Sequence, residues 1–183
     1  MLSYEALEAK IATIKVLIVD DDQFMRRVVR AMLGAVGVKK IHDACDGASG
    51  LEAIRNQSPD IIILDWEMPT IDGMHFVRLV RSPGAFRNPD VPIIMLSGHA
   101  DHWRVVEAAK VGVHEYLLKP VSTKALRDRL VSVIANPRRM VKIEGQYVPA
   151  PRRPGFAAAT PVRLDPVEDK PRIVEHRDVF LVG

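Results

Sequence analysis

Carboxylates, a hydroxyl and an amine stand at four points where short apolar runs end, and that pattern suggests phosphate chemistry assisted by a divalent cation. Asp65 closes the run Ile61-Ile62-Ile63-Leu64 and opens Trp66-Glu67-Met68-Pro69. Asp20-Asp21-Asp22 follows directly on Val16-Leu17-Ile18-Val19. Ser97 ends Ile94-Met95-Leu96, and Lys119 ends Tyr116-Leu117-Leu118 ahead of Pro120. A hard cation such as Mg2+ takes oxygen ligands, usually one or two carboxylates with water and substrate phosphate. Asp20, Asp21 and Asp65 could supply that set. A carboxylate nucleophile for phosphoryl transfer also needs positive charge and donors on the transferring oxygens. Lys119 offers the charge and Ser97 the hydroxyl.

These groups need a scaffold that gathers strand ends. Strand-like segments at 15–19, 40–44, 60–64, 91–96 and 114–118 alternate with helical patterns, five times in all. Phe24, Val28, Val29, Met32, Leu33 and Val36 recur at helical spacing, with Gly37 as a stop. Further helices are expected over 47–56, 72–81, 101–111 and 122–134, with Ser122 as an N-cap of the last. Four consecutive branched apolar residues before Asp65 fit a strand buried on both faces, as in a parallel sheet. The alternation predicts an α/β domain with helices on both faces. In open sheets of this kind, ligands bind at the carboxyl ends of the strands.

Bulk composition narrows the class. The 183 residues are 48% hydrophobic and 5% aromatic, enough aliphatic side chains for a core. No apolar run approaches the ~18 residues of a membrane span. Residues 1–15 lack the apolar stretch of a signal peptide. A cytoplasmic protein is expected. Residues 136–183 hold 9 of the 26 Lys+Arg and 6 of the 23 Asp+Glu, which leaves 17 of each in residues 1–135. The net charge of +3 therefore belongs to the tail, and the body carries no nucleic-acid signature. Seven of the 13 prolines also fall in that tail, with no sustained helical or strand period. The expected organisation is a short extension at 1–14 that could hold a helix, a domain at 15–135, and a Pro-rich basic tail at 136–183, mostly disordered or extended.

Across 15–135 the chain resembles the receiver domain of two-component response regulators, of the stand-alone chemotaxis type. The residues that carry the likeness are Asp20-Asp21, Asp65 with Met68-Pro69 and Asp72-Gly73, Ser97-Gly98, and Lys119-Pro120. The resemblance implies a flavodoxin-like (βα)5 doubly wound parallel sheet of order 2-1-3-4-5. It implies that Asp65 accepts a phosphoryl group from the phosphohistidine of a histidine kinase or phosphotransfer protein. Mg2+ would be held by Asp21, Asp65 and the backbone carbonyl of Glu67, with Asp20 acting largely through water. Ser97 and Lys119 would hold the phosphoryl oxygens, and Tyr116 would be the aromatic whose rotamer reports the active state. Output would run to a protein partner through the face of the fourth helix, fifth strand and fifth helix of the alternation, with self-association left open. Such a domain phosphorylates and dephosphorylates itself and is not a turnover enzyme. No DNA-binding output is expected within this chain.

Each residue also has a plainer role. A single carboxylate after a strand is usually a cap or a solvated turn, and Asp22 fits the N-cap of the first helix of the alternation. Tyr116 alone could simply pack. Trp103 is equally readable as a partner anchor or a half-buried aromatic. His42, His75, His99, His102, His114 and His176 lack zinc-site spacing, and Cys45 lacks a partner base. Three positions depart from the usual receiver pattern: Glu67, two residues after Asp65; His99, two after Ser97; and Val121, where phenylalanine is common. The first two tend to set acyl-phosphate lifetime. The alternative is an aspartate-nucleophile phosphatase, since Asp20-Asp21-Asp22 resembles the motif of haloacid-dehalogenase-like enzymes. Phe24 and the lack of a cap domain weigh against it. Arg138-Arg139, Arg152-Arg153 and Tyr147 could contact an acidic partner or nucleic acid, against a solvated extension as the simpler role.

Overall fold

The computed structural model describes residues 3–143 and 146–150. Five strands, β1 (Lys15–Val19), β2 (Lys40–Ala44), β3 (Ile61–Asp65), β4 (Ile93–Ser97) and β5 (Glu115–Leu118), form one parallel sheet. Its order is β2-β1-β3-β4-β5. Helices α1 (Tyr4–Thr13), α2 (Gln23–Val36), α3 (Gly47–Gln57), α4 (Gly73–Arg81), α5 (His102–Val111) and α6 (Thr123–Ala135) precede and separate the strands. The expected (βα)5 doubly wound sheet is therefore present.

Period-two alternation along the strands divides the core into two layers. Val16, Ile18, Ile61, Ile63, Ile94 and Leu96 pack with Val29 and Leu33 of α2, Leu126 and Leu130 of α6, and Ile11 of α1. Leu17, Val19, Ile62, Leu64, Ile93 and Met95 pack with Ile54 of α3, Phe76 and Val80 of α4, and Ala108 of α5. β3 is buried along its whole length because helices cover both of its faces.

Local chemistry sets the helix starts. Asp22, Asp46, Asp72 and Ser122 cap α2, α3, α4 and α6, each accepting a backbone N–H from the first turn. Gly37 ends α2 at φ 104°, as its expected stop requires.

Beyond α6 the structure adds one element that the sequence did not suggest. Residues 140–149 form an antiparallel hairpin, β6 (Met140–Ile143) and β7 (Gln146–Pro149). It lies against α4 and α5, with Val148 buried. Gly112 makes this docking possible: a Cβ there would lie 2.8 Å from the Tyr147 carbonyl. Arg138 extends the seam by donating to the His114 carbonyl. Arg152-Arg153 and the rest of the tail from 151 lie outside the described residues. At the amino end, α1 occupies most of the predicted short extension, and its Glu8 accepts from Arg127 of α6 at 2.7 Å.

Candidate functional site

The carboxyl ends of β1, β3, β4 and β5 converge because parallel strands point the same way, and each delivers one polar side chain to the rim. Asp65 and Asp20 are buried there, 4% and 1% exposed. Lys119 Nζ lies 2.7 Å from Asp65 Oδ1 and 3.4 Å from Asp20 Oδ2. Two carboxylates that would repel each other thus share one ammonium. Asp20 Oδ1 accepts the Asp22 N–H at 2.8 Å. Arg26 of α2 donates to the carbonyls of Asp20 and Asp21 at 2.8 and 3.1 Å, which fixes the acidic turn from below.

Electrostatics follow from this burial. Desolvation pushes the Asp65 and Asp20 carboxyls above the ordinary carboxylate range, with Lys119 opposing, and the charge of Asp20 adds to the shift of Asp65 as that of Asp21 adds to the shift of Asp20. Burial alone would lower the Lys119 ammonium. Its contacts with Asp65 and Asp20 outweigh that cost, and its pKa is raised. The site is a strained cluster of negative charge with one cation inside it.

Ligand atoms of Asp20, Asp21 and Asp65 all lie within 4.8 Å of one another, the one metal-compatible group of three among the described residues. Three carboxylates, one of them exposed, suit a hard divalent cation that keeps several waters. A cation there would relieve the repulsion that burial creates.

Ser97 is buried at the end of β4, and its Oγ accepts the His99 N–H at 3.1 Å. Tyr116 is half-buried, and its hydroxyl donates to the His99 carbonyl at 3.0 Å. Its ring meets Trp66 edge-on, centroids 6.2 Å apart. Gly73 lets the first turn of α4 close over the loop that follows Asp65. A Cβ there would lie 2.4 Å from the Asp65 carbonyl. Glu67 projects outward, and its Oε1 lies 2.6 Å from His99 Nε2. Val121 is a partly buried side chain against the α2–α6 layer. Trp103 is 59% exposed on α5 beside Val105 and Val106.

Sequence reasoning missed two contributors. Arg104 stacks on the rings of both Trp66 and Trp103, a contact across 38 positions that no spacing rule signals. Arg26 was anonymous on the polar side of α2. Its only signal was its place in the first turn after an acidic loop.

A parallel sheet of this order, with paired carboxylates and a lysine at its rim, defines a flavodoxin-like α/β domain with a polar site at its strand ends. Comparison with known proteins makes the assignment specific. The family model for the response regulator receiver domain matches residues 16–131, and the chain belongs to that family. The chain is 31% identical over 116 residues to the chemotaxis protein CheY-3 of Vibrio cholerae, covering 63% of this chain and 88% of that one. It is 33% identical over 121 residues to chemotaxis protein CheY1 of Helicobacter pylori, covering 66% and 96%. Among solved structures, Vibrio cholerae CheY4 superposes with a TM-score of 0.60 at 32% identity, over 67% of this chain and 99% of that chain. A putative response regulator from Chloroflexus aurantiacus gives 0.61 at 29% identity, over 67% and 98%. The protein is a two-component signalling receiver. None of its described helices is long and apolar enough to cross a membrane.

Proposed function

We propose that this receiver is phosphorylated on Asp65 by a histidine kinase or phosphotransfer protein and passes the signal to a protein partner. The observation that carries this proposal is Lys119 placed between Asp65 and Asp20, 2.7 and 3.4 Å away, with Asp21 completing an oxygen-rich group. An Asp65 carboxylate oxygen attacks the phosphorus of a phosphohistidine. The P–O bond forms as the P–N bond breaks, and the imidazole nitrogen keeps the electron pair. Lys119 keeps its positive charge against the new acyl phosphate. Ser97 then turns its hydroxyl to donate to a phosphoryl oxygen. Asp20, Asp21, Asp65 and the Glu67 carbonyl would hold Mg2+, which supplies charge neutralisation on the transferring group.

Output would use the face of α5, β5 and α6. Tyr116 belongs to β5, and its hydroxyl depends on the His99 carbonyl two residues beyond Ser97. A shift of Ser97 toward a phosphate therefore disturbs the Tyr116 anchor and biases that face between two states. The printed names of the relatives suggest chemotaxis as the pathway. Steady turnover is not expected of such a domain. The phosphatase alternative on Asp20 has no observation in its favour, since family membership accounts for the acidic turn.

Incubation with Mg2+ and a small acyl phosphate donor tests the proposal. Label is expected on the wild type and absent from Asp65→Asn. An unlabelled wild type, or an equally labelled variant, would contradict it.

A further inference from the structure

Arg104 occupies an unusual place. Its guanidinium carbon lies 5.3 Å from the centre of the Trp66 ring and 5.0 Å from that of Trp103. Trp66, which directly follows Asp65, is buried, whereas Trp103 stands 59% exposed on the outer side of α5. Arg104 Nε is buried without a hydrogen-bond partner, and the nearby Asp101 Oδ2 is 3.5 Å away. Stacking on two rings, together with the ion pair to Asp101, orients this cation. A planar guanidinium can stack on two aromatic faces, and a lysine ammonium cannot.

The stack connects to the site on its inner side. The Trp66 backbone is fixed, its N–H on the Leu96 carbonyl at 2.9 Å and its carbonyl under the Gly73 N–H at 2.9 Å. Its ring packs within the α3–α4–α5 side of the core and meets Tyr116 edge-on. Tyr116 in turn hangs on the His99 carbonyl, in the loop that Ser97 anchors. A continuous set of contacts thus runs from the Asp65 rim to the outer surface of α5.

We propose that Arg104 is a positioning residue that couples occupancy of Asp65 to the exposed apolar face of α5, through the Trp66–Arg104–Trp103 stack. The inference rests on Asp65 being the phosphoacceptor. In the resting protein Arg104 holds Trp103 against α5. When the phosphoryl group draws the Ser97 loop inward, Tyr116 and Trp66 shift, and Arg104 transmits that shift to Trp103. The composition of the surface offered to a partner then depends on a residue that touches neither phosphate nor metal.

The chain contains two tryptophans, so 5-fluorotryptophan labelling gives two 19F resonances. Trp66→Phe and Trp103→Phe assign them in the full chain. Phosphorylation with Mg2+ and acetyl phosphate, its extent read separately by intact mass, is expected to move both resonances. In Arg104→Gln the Trp66 resonance should still move, while the Trp103 displacement falls to a quarter of its size or less. Arg104→Lys should recover an intermediate displacement. An unmoved Trp103 resonance in phosphorylated wild type, or a full displacement in phosphorylated Arg104→Gln, would overturn the inference and leave Asp65 as acceptor. Absence of phosphorylation would instead overturn the acceptor assignment, and the inference with it.

Discussion

Glu67 Oε1 and His99 Nε2 meet at 2.6 Å, joining the loops that leave β3 and β4 across the mouth of the site. Both lie two residues beyond a site residue, Asp65 and Ser97. Their contact means that the Glu67 carboxylate is engaged by an imidazole instead of facing the phosphoryl position alone.

Removing His99 should free Glu67 to orient an attacking water. His99→Ala is expected to shorten the acyl-phosphate half-life by about tenfold, below the ~100-fold that a fully positioned general base contributes. Glu67→Gln in the same protein should restore the lifetime. Half-lives from quenched time courses would show this, and an unchanged half-life in His99→Ala would count against it.

The acidic cluster carries a repulsion that a bound cation would relieve. Asp21→Asn removes one like charge beside Asp20 and should stabilise the cation-free protein by about 0.5–2 kcal/mol. The wild type should gain roughly 2.7 kcal/mol when Mg2+ reaches 100 times its Kd. The variant should lose most of that gain. Melting curves with and without Mg2+ test the pair of effects, and equal Mg2+ responses would refute the ligand assignment.

Gly73 is required by proximity, since its added Cβ would strike the Asp65 carbonyl at 2.4 Å and the Trp66 Cα at 3.0 Å. Both neighbours are backbone and cannot swing away. Gly73→Ala should cost about 1–3 kcal/mol in urea unfolding and lower the rate of labelling. A variant of wild-type stability would show that the loop is looser than its geometry.

His114 gives the protein an acid sensitivity away from the site. Burial first, then the charges of Arg81 and Arg138, lower its pKa from 6.5 to about 2. Its Nδ1 accepts the Ile93 N–H at 3.4 Å. Below 6.5 the unfolded chain binds a proton there that the native protein does not, so stability is present above that pH and lost as pH falls toward 2. Between about pH 7.5 and about pH 5.5 this group should cost about 1.4 kcal/mol. The raised carboxyls of Asp20 and Asp65 act in the opposite sense at lower pH. Comparing the urea-unfolding pH slope with that of His114→Asn isolates the histidine, and identical slopes would exclude it.

Much of this architecture was legible because apolar periodicity and punctuation agree. The predicted strands at 15–19 and 40–44 coincide with β1 and β2, Ser122 is the N-cap it was expected to be, and Asp72 and Asp101 moved from helix starts to caps. Strand ends at 60–64 and 91–96 shifted by a residue or two, since a polar terminal residue breaks the apolar run before the ladder ends. The hairpin was hidden: its four-residue strands lie in a proline-rich stretch and gain their order from α4 and α5. Arg81 was equally hidden. It looked like a surface charge ending a helix, yet it is fully buried and donates to the carbonyls of Gly112, Pro89 and Val91. Only tertiary contact reveals that these carbonyls need a forked donor.

The central claim is that the phosphoryl group resides on Asp65, and chemical trapping tests it most directly. Borohydride reduces an aspartyl phosphate to homoserine, which peptide mapping then locates. The expected result after phosphorylation in Mg2+ is homoserine at position 65 alone. Homoserine at position 20, or at neither, would contradict the account.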